Sequence, residues 1–165
     1  IDFKVMDMEK LEFRRSSFDL VYSGLALHYL KDWTRVLDEV AKVLKKNGLF
    51  LFSTHNPVYW GACKKKNTGE KLRILGYRKD RKTKRIDVYG DYLHVRKIND
   101  VWFETFNVTY YHRPFSSIMG NILKSGFKII DCIEPKPLKS SKRIDENFWK
   151  KFSKLSAFII FKLQK

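Results

Sequence analysis

Cysteine is nearly missing from this 165-residue sequence: Cys63 and Cys132 stand far apart, with no CxxC and no histidine at ligand spacing. That excludes a disulfide framework and a zinc site, and no metal is expected. Glycine is sparse, with eight residues and no GxGxG among them. No apolar run approaches the roughly eighteen residues that a membrane-spanning helix needs. The first residues lack the basic-then-apolar pattern of a signal peptide, so a soluble, cytoplasmic protein is expected. The sequence begins at Ile1 rather than Met, which allows it to be a piece of a longer chain. Acidic residues are also scarce, 18 against 34 Lys and Arg, giving a formal net charge of +16. The imbalance is local. Residues 1–60 carry nine basic and eight acidic side chains and 101–135 carry three of each, whereas 61–100 carry thirteen against five and 136–165 nine against two. A near-neutral framework therefore bears a basic insertion and a basic tail, which either concentrate an anionic partner or keep exposed loops solvated.

What is present is ample material for a core: 44% hydrophobic and 15% aromatic residues in a chain of single-domain length. Residues 3–6 and the denser run FDLVYS, 18–23, read as short strands of a buried sheet. From Asp32, a candidate N-cap, Trp33, Val36, Leu37, Val40, Ala41 and Leu44 recur at helical spacing, with Lys42, Lys45 and Lys46 in the last turn and Asn47-Gly48 as the left-handed stop. LFLFST, 49–54, follows as a buried strand, and strand, helix, strand with short links predicts a parallel crossover and an α/β fold. Residues 57 to about 100 are basic and aperiodic, and the alternating aromatic segments DVYGDYLHV and DVWFETFNVTYYH predict antiparallel strands of an inserted element. Ser116 is placed to cap a second helix that turns Ile118, Met119, Ile122 and Leu123 inward and stops at Gly126. FKIIDCI, 127–133, and residues 155–163 predict two last strands, an antiparallel pair at the sheet edge with weak helical content in DENFWKKF between them.

Four blocks, DMEKLEF, FDLVYSGLALHYLKDW, EVAKVLKKNGLFLFSTHNP and YYHRPFSSIMGNILKSGFKIIDCIEPKP, together resemble the C-terminal two-thirds of a class I S-adenosylmethionine-dependent methyltransferase, of the type called methyltransferase type 11. The resemblance implies a Rossmann-like sheet in which residues 3–6, 18–23, 48–54 and the last two segments are the family's third to seventh strands. Residues 58–111 then form an inserted antiparallel β element, a lid or acceptor-selecting device within a single partial domain. The family's first two strands, with the glycine-rich loop and the acid that holds the cofactor's ribose, have no counterpart in these 165 residues. Weak or no cofactor binding is accordingly expected of this chain by itself.

The resemblance implies S-adenosylmethionine as cofactor and assigns residues to it. Asp7 matches the acid that accepts a hydrogen bond from the adenine amino group, with Met8 beside the ring, though Asp7 also suits an ordinary turn. Ser23, Gly24 and Leu25 match the backbone that passes the methionine part. Methyl transfer from a sulfonium is an in-line displacement served by orientation and exclusion of water, so no single catalytic residue is required. Where the acceptor must lose a proton, His28, His55 and His112 are the candidate bases. Tyr59, Trp60, Tyr110, Tyr111, His112 and Arg113 are candidates to line the acceptor site. Arg113 suits a carboxylate or phosphate on the acceptor, or equally a salt bridge to Glu134. The expected function is methyl transfer to a small-molecule acceptor. The competing expectations are a non-catalytic module of the same fold, or an RNA methyltransferase, holding nucleic acid or another polyanion through the basic insertion and tail. The acceptor and the oligomeric state are not legible.

Overall fold

The computed structural model describes residues 1–62 and 75–165. Cys63 and the basic stretch KKKNTGEKLR therefore lie outside the described residues. The elements run β1 (Phe18–Gly24), α1 (Thr34–Val43), β2 (Leu44–His55), α2 (Pro57–Ala62), β3 (Gly76–Lys79), β4 (Ile86–Tyr89), β5 (Arg96–Trp102), β6 (Phe106–His112), α3 (Phe115–Lys124), β7 (Lys128–Ile133), α4 (Glu146–Phe152) and β8 (Phe158–Gln164). Four strands make the main sheet in the order β1-β2-β8-β7. β1 and β2 are parallel, and α1 crosses between them. β8 runs antiparallel to both neighbours, so the expected antiparallel pair is present, with β8 inside and β7 at the edge.

The core forms where the apolar periods of strand and helix meet. Phe50 and Phe52 alternate along β2 and face Leu163 and Phe161 of β8 across the ladder. They share one buried cluster with Val36, Leu37 and Val40 of α1 and Ile118 and Ile122 of α3. Among the described residues of the span expected to be an insertion stand α2 and two hairpins, β3–β4 and β5–β6. Ile98, Val108 and Tyr110 of the second hairpin make their own small core, against which Trp60 and Trp102 pack.

Several expected boundaries shift. Residues 3–6 make no ladder, and Ile1, Phe3 and Val5 are fully or almost fully exposed, as suits a segment that no described strand pairs with. Asp32 does not cap α1 in the usual position. Its Oδ1 accepts from the backbone N–H and the hydroxyl of Thr34, two residues further on, in an Asx turn that launches the helix. α1 ends at Val43, so only Lys42 sits in its last turn, paired with Glu39, while Lys45 reaches Asp19. The residues after α1 are taken into β2 through an irregular register opposite Phe18–Leu20. Asn47 there holds the left-handed conformation with φ 62°. Gly48 is needed for closeness, since a Cβ on it would stand 2.9 Å from the Lys45 carbonyl oxygen. α3 begins after Pro114, with Phe115 as its first residue, so Ser116 is inside the helix rather than its cap. Leu123 points to solvent, Met119 is half-buried, and Gly126 with φ 80° ends the helix as expected.

Candidate active site

The carboxyl ends of parallel strands are where open α/β sheets place ligands, because the chain turns away there and leaves a crevice. At the end of β1 the chain turns at Leu25, a branched residue held at φ 53°. Its N–H lies 3.1 Å from the Ser53 hydroxyl oxygen and 3.2 Å from the Ser53 carbonyl of β2, which pins the turn. A non-glycine residue in this region is strained, and such strain gathers at functional turns. A short 3₁₀ turn, Leu27–Tyr29, then carries His28 under the sheet edge.

At the end of β2 stand His55 and Asn56. Asn56 is buried, and its Oδ1 accepts from the Val58 N–H while Pro57 takes the first helical position, so Asn-Pro starts α2. The other end of the Asn56 amide donates to Glu134 at 2.6 Å, tying α2 to the chain after β7. α2 in turn sets Trp60, whose indole N–H donates to the Ala157 carbonyl at 2.8 Å.

The rings of His28, His55 and Trp60 form a continuous stack, with centroids 3.6 and 4.0 Å apart and planes within 15°. Tyr110 meets His55 edge-on at 5.0 Å. Thr54, Pro57, Tyr111, His112, Arg113, Trp33 and Ile118 complete a cleft whose internal volume is about 10 Å³, room for about one water. Burial lowers the His28 pKa from 6.5 to about 4, so the imidazole is neutral at pH 7, and its Nδ1 meets no partner among the described residues. His112 donates from Nε2 to the Tyr92 carbonyl at 2.9 Å, which fixes its tautomer.

Arg113 closes the cleft. Only 5% of it is exposed, its guanidinium lies 4.7 Å from the Trp33 ring centre, and Nη2 donates to the Lys31 carbonyl at 2.6 Å. Nε and Nη1 find no partner among the described residues. Desolvation lowers its pKa to about 10, opposed by the charge of Asp32, and the group stays cationic at neutral pH. The suggested bridge to Glu134 does not form; Glu134 Oε1 accepts from the Asn56 amide instead. The cleft can therefore present the neutral imidazole of His28 to a proton, a guanidinium to an anion, and aromatic walls that keep water out.

The structure thus brings together His28, His55, Trp60, Tyr110, Tyr111, His112 and Arg113. Tyr59 is turned aside, with its ring near Phe152 and Lys151. Asp7 is exposed in a turn in which its Oδ1 accepts from Glu9 N–H and its carbonyl from Lys10 N–H. Met8 packs at the edge of the main core. Trp33, Thr54 and Ile118 also line the cleft, and in the sequence the apolar period they sit in marks them only as helix and strand residues. Among the described residues, no cluster of His, Cys, Asp or Glu has the makings of a metal site, and no helix is long and apolar enough to cross a membrane.

Residues 1–52 match the family model described as a methyltransferase domain. A solved S-adenosylmethionine-dependent methyltransferase from Mesorhizobium loti superposes with a TM-score of 0.71 at 25% identity, over 97% of this chain and 68% of its own. An uncharacterized Haemophilus influenzae protein is 30% identical over 131 residues, 79% of this chain and 48% of its own. A malonyl-[acyl-carrier protein] O-methyltransferase from Nitrosospira multiformis is 43% identical over 51 residues, 31% of this chain and 17% of its own. The chain thus spans about half the length, or less, of these curated relatives. A methyltransferase-domain match at residues 1–52 and a superposition that covers 97% of the chain show that it has the class I S-adenosylmethionine-dependent methyltransferase fold.

Proposed function

We propose that the protein to which this chain belongs transfers a methyl group from S-adenosylmethionine to a small-molecule acceptor. The observation that carries this reading is the aromatic, histidine-lined cleft at the carboxyl edge of β1 and β2, beside the strained Leu25 turn. The cofactor would supply an electrophilic methyl group on a sulfonium. The residues present suit part of it: the backbone of Ser23, Gly24 and Leu25 would take the methionine portion, and Asp7 with Met8 the adenine. Asp7 is exposed, which suits a carboxylate that has a ligand to meet. The family's glycine-rich loop and ribose acid would come from sequence preceding Ile1, a reading favoured by the greater length of the relatives.

Within this chain, the insertion from 58 to 111 supplies Trp60, Tyr110 and Tyr111 to the cleft and so selects the acceptor. His28, neutral and lacking a partner for Nδ1 among the described residues, is the best-placed base for an acceptor that must lose a proton. Calorimetry of S-adenosylhomocysteine with the full-length protein tests the reading: binding in the micromolar to submillimolar range, about that usual for enzyme ligands, is expected. No binding would sink it.

A second reading, polyanion binding, is favoured by the turn between β3 and β4, where Arg81, Lys82, Lys84 and Arg85 are all exposed. Steeply salt-dependent retention on immobilised RNA would support it, and indifference to salt would remove it.

A further inference from the structure

The wall that Arg113 makes has two sides. Beyond the histidine cleft lies an open groove of about 650 Å³ bordered by Lys31, Asp32, Val95, Lys97, Tyr111, Arg113, Ser117 and Asn121. Arg113 and Tyr111 line both spaces. The groove is cationic on balance, with Lys31, Lys97 and Arg113 facing one acid, and that acid, Asp32, already accepts two hydrogen bonds from Thr34. Three N–H bonds of the guanidinium, one on Nε and two on Nη1, are buried without an acceptor among the described residues. Buried donors are ordinarily satisfied, and a buried cation without a full set of acceptors is costly to keep. Asp32 acts on the guanidinium through its charge, and Glu134 accepts from Asn56 instead.

We propose that Arg113 is the anchor for an anionic group, a carboxylate or a phosphate, on the acceptor. The acceptor enters along the Lys31–Lys97 groove, its anion completes the hydrogen bonding of Arg113, and its opposite end reaches the His28–His55–Trp60 stack. Trp33 covers one face of the guanidinium and the Lys31 carbonyl holds Nη2, so the cation is oriented before any ligand arrives. This inference rests on the methyltransferase reading for the word acceptor, while the anion site stands on the geometry alone.

The test uses the full-length protein and three probes: benzoate, inorganic phosphate, and benzamide as the neutral shape-match of benzoate. The Arg113 Nε–H resonance, assigned by its loss in Arg113→Met, is followed during each titration. Benzoate or phosphate should move it and benzamide should not, with benzoate alone indicating a carboxylate acceptor and phosphate alone a phosphorylated one. In Arg113→Met the affinity for the effective anion should fall by about tenfold or more, as for loss of a charge-assisted contact. An unmoved resonance with both anions, or an equal response to benzamide, overturns the proposal. Should Arg113→Met fail to fold, Arg113→Lys supplies the assignment and the titration of the unsubstituted protein still decides. S-adenosylhomocysteine calorimetry run in parallel separates the two ideas: cofactor binding without an anion response overturns the anchor alone, and an anion response without cofactor binding overturns the methyltransferase reading alone.

Discussion

His28 and Asn56 show how single side chains at the strand ends tie stability to the site. His28 has a folded-state pKa of about 4 against 6.5 when exposed, so the unfolded chain takes up a proton in acid well before the folded one does. The folded state keeps its full advantage above pH 6.5, loses it as pH falls from there to about 4, and loses no more below. The shift corresponds to about 3 kcal/mol at most. Urea unfolding at pH 7.5 and pH 4.5 should show the decline, and His28→Phe should flatten it; an equal slope in the variant would assign the decline elsewhere. Asn56→Ala removes the start of α2 and strips Glu134 of its amide partner, for an expected loss of about 2 kcal/mol. A double-mutant cycle with Glu134→Ala should return a coupling of about 1 kcal/mol, and strict additivity would show the 2.6 Å contact to be idle.

At the scale of elements, β2 and β8 bear the main core through Phe50, Phe52 and Phe161, each fully buried. Phe52→Ala should cost about 4 kcal/mol in thermal or urea unfolding, while Leu123→Ala on the exposed flank of α3 should stay within about 0.5 kcal/mol. The same contrast explains what could be read beforehand. β1, α1, β2, α3, β7 and β8 each run for six or more residues, long enough for an apolar period to show. α2 has only six residues and no full period, and its one signal was the Asn-Pro pair that starts it. Residues 3–6 have strand composition, yet a ladder depends on a neighbour and not on composition. Of the seven expected residues that the cleft brings together, His28, His55, His112 and Arg113 are legible because they follow or end strands, and Trp60, Tyr110 and Tyr111 because they are aromatic residues that flank the insertion. The stack of His28 on His55 was not, since rings 27 positions apart meet only once β1 and β2 pair. Nor was the choice of Asn56 over Arg113 as the partner of Glu134, which depends on where α2 lies.

For the molecule as a whole, the +16 charge sits on a framework that is itself near neutral, so its self-repulsion is concentrated in the insertion and the tail. Raising salt from about 0.01 M to about 0.15 M shortens the screening length from about 30 Å to about 8 Å and should raise the melting temperature. A melting temperature that falls over this range would show that attractive pairs, such as Lys42–Glu39 and Lys45–Asp19, outweigh the repulsion. The main sheet also leaves apolar surface in view, with Leu20 and Tyr22 on β1 and Ile130 and Ile133 on β7 about half or more exposed. The cleft, by contrast, is shut. With its indole 4.0 Å from the His55 ring, Trp60 reports whether that door is open. Parting the stack takes a ring off the face of this indole, so the molecule carries its own optical gauge of the cleft, read against its three other tryptophans.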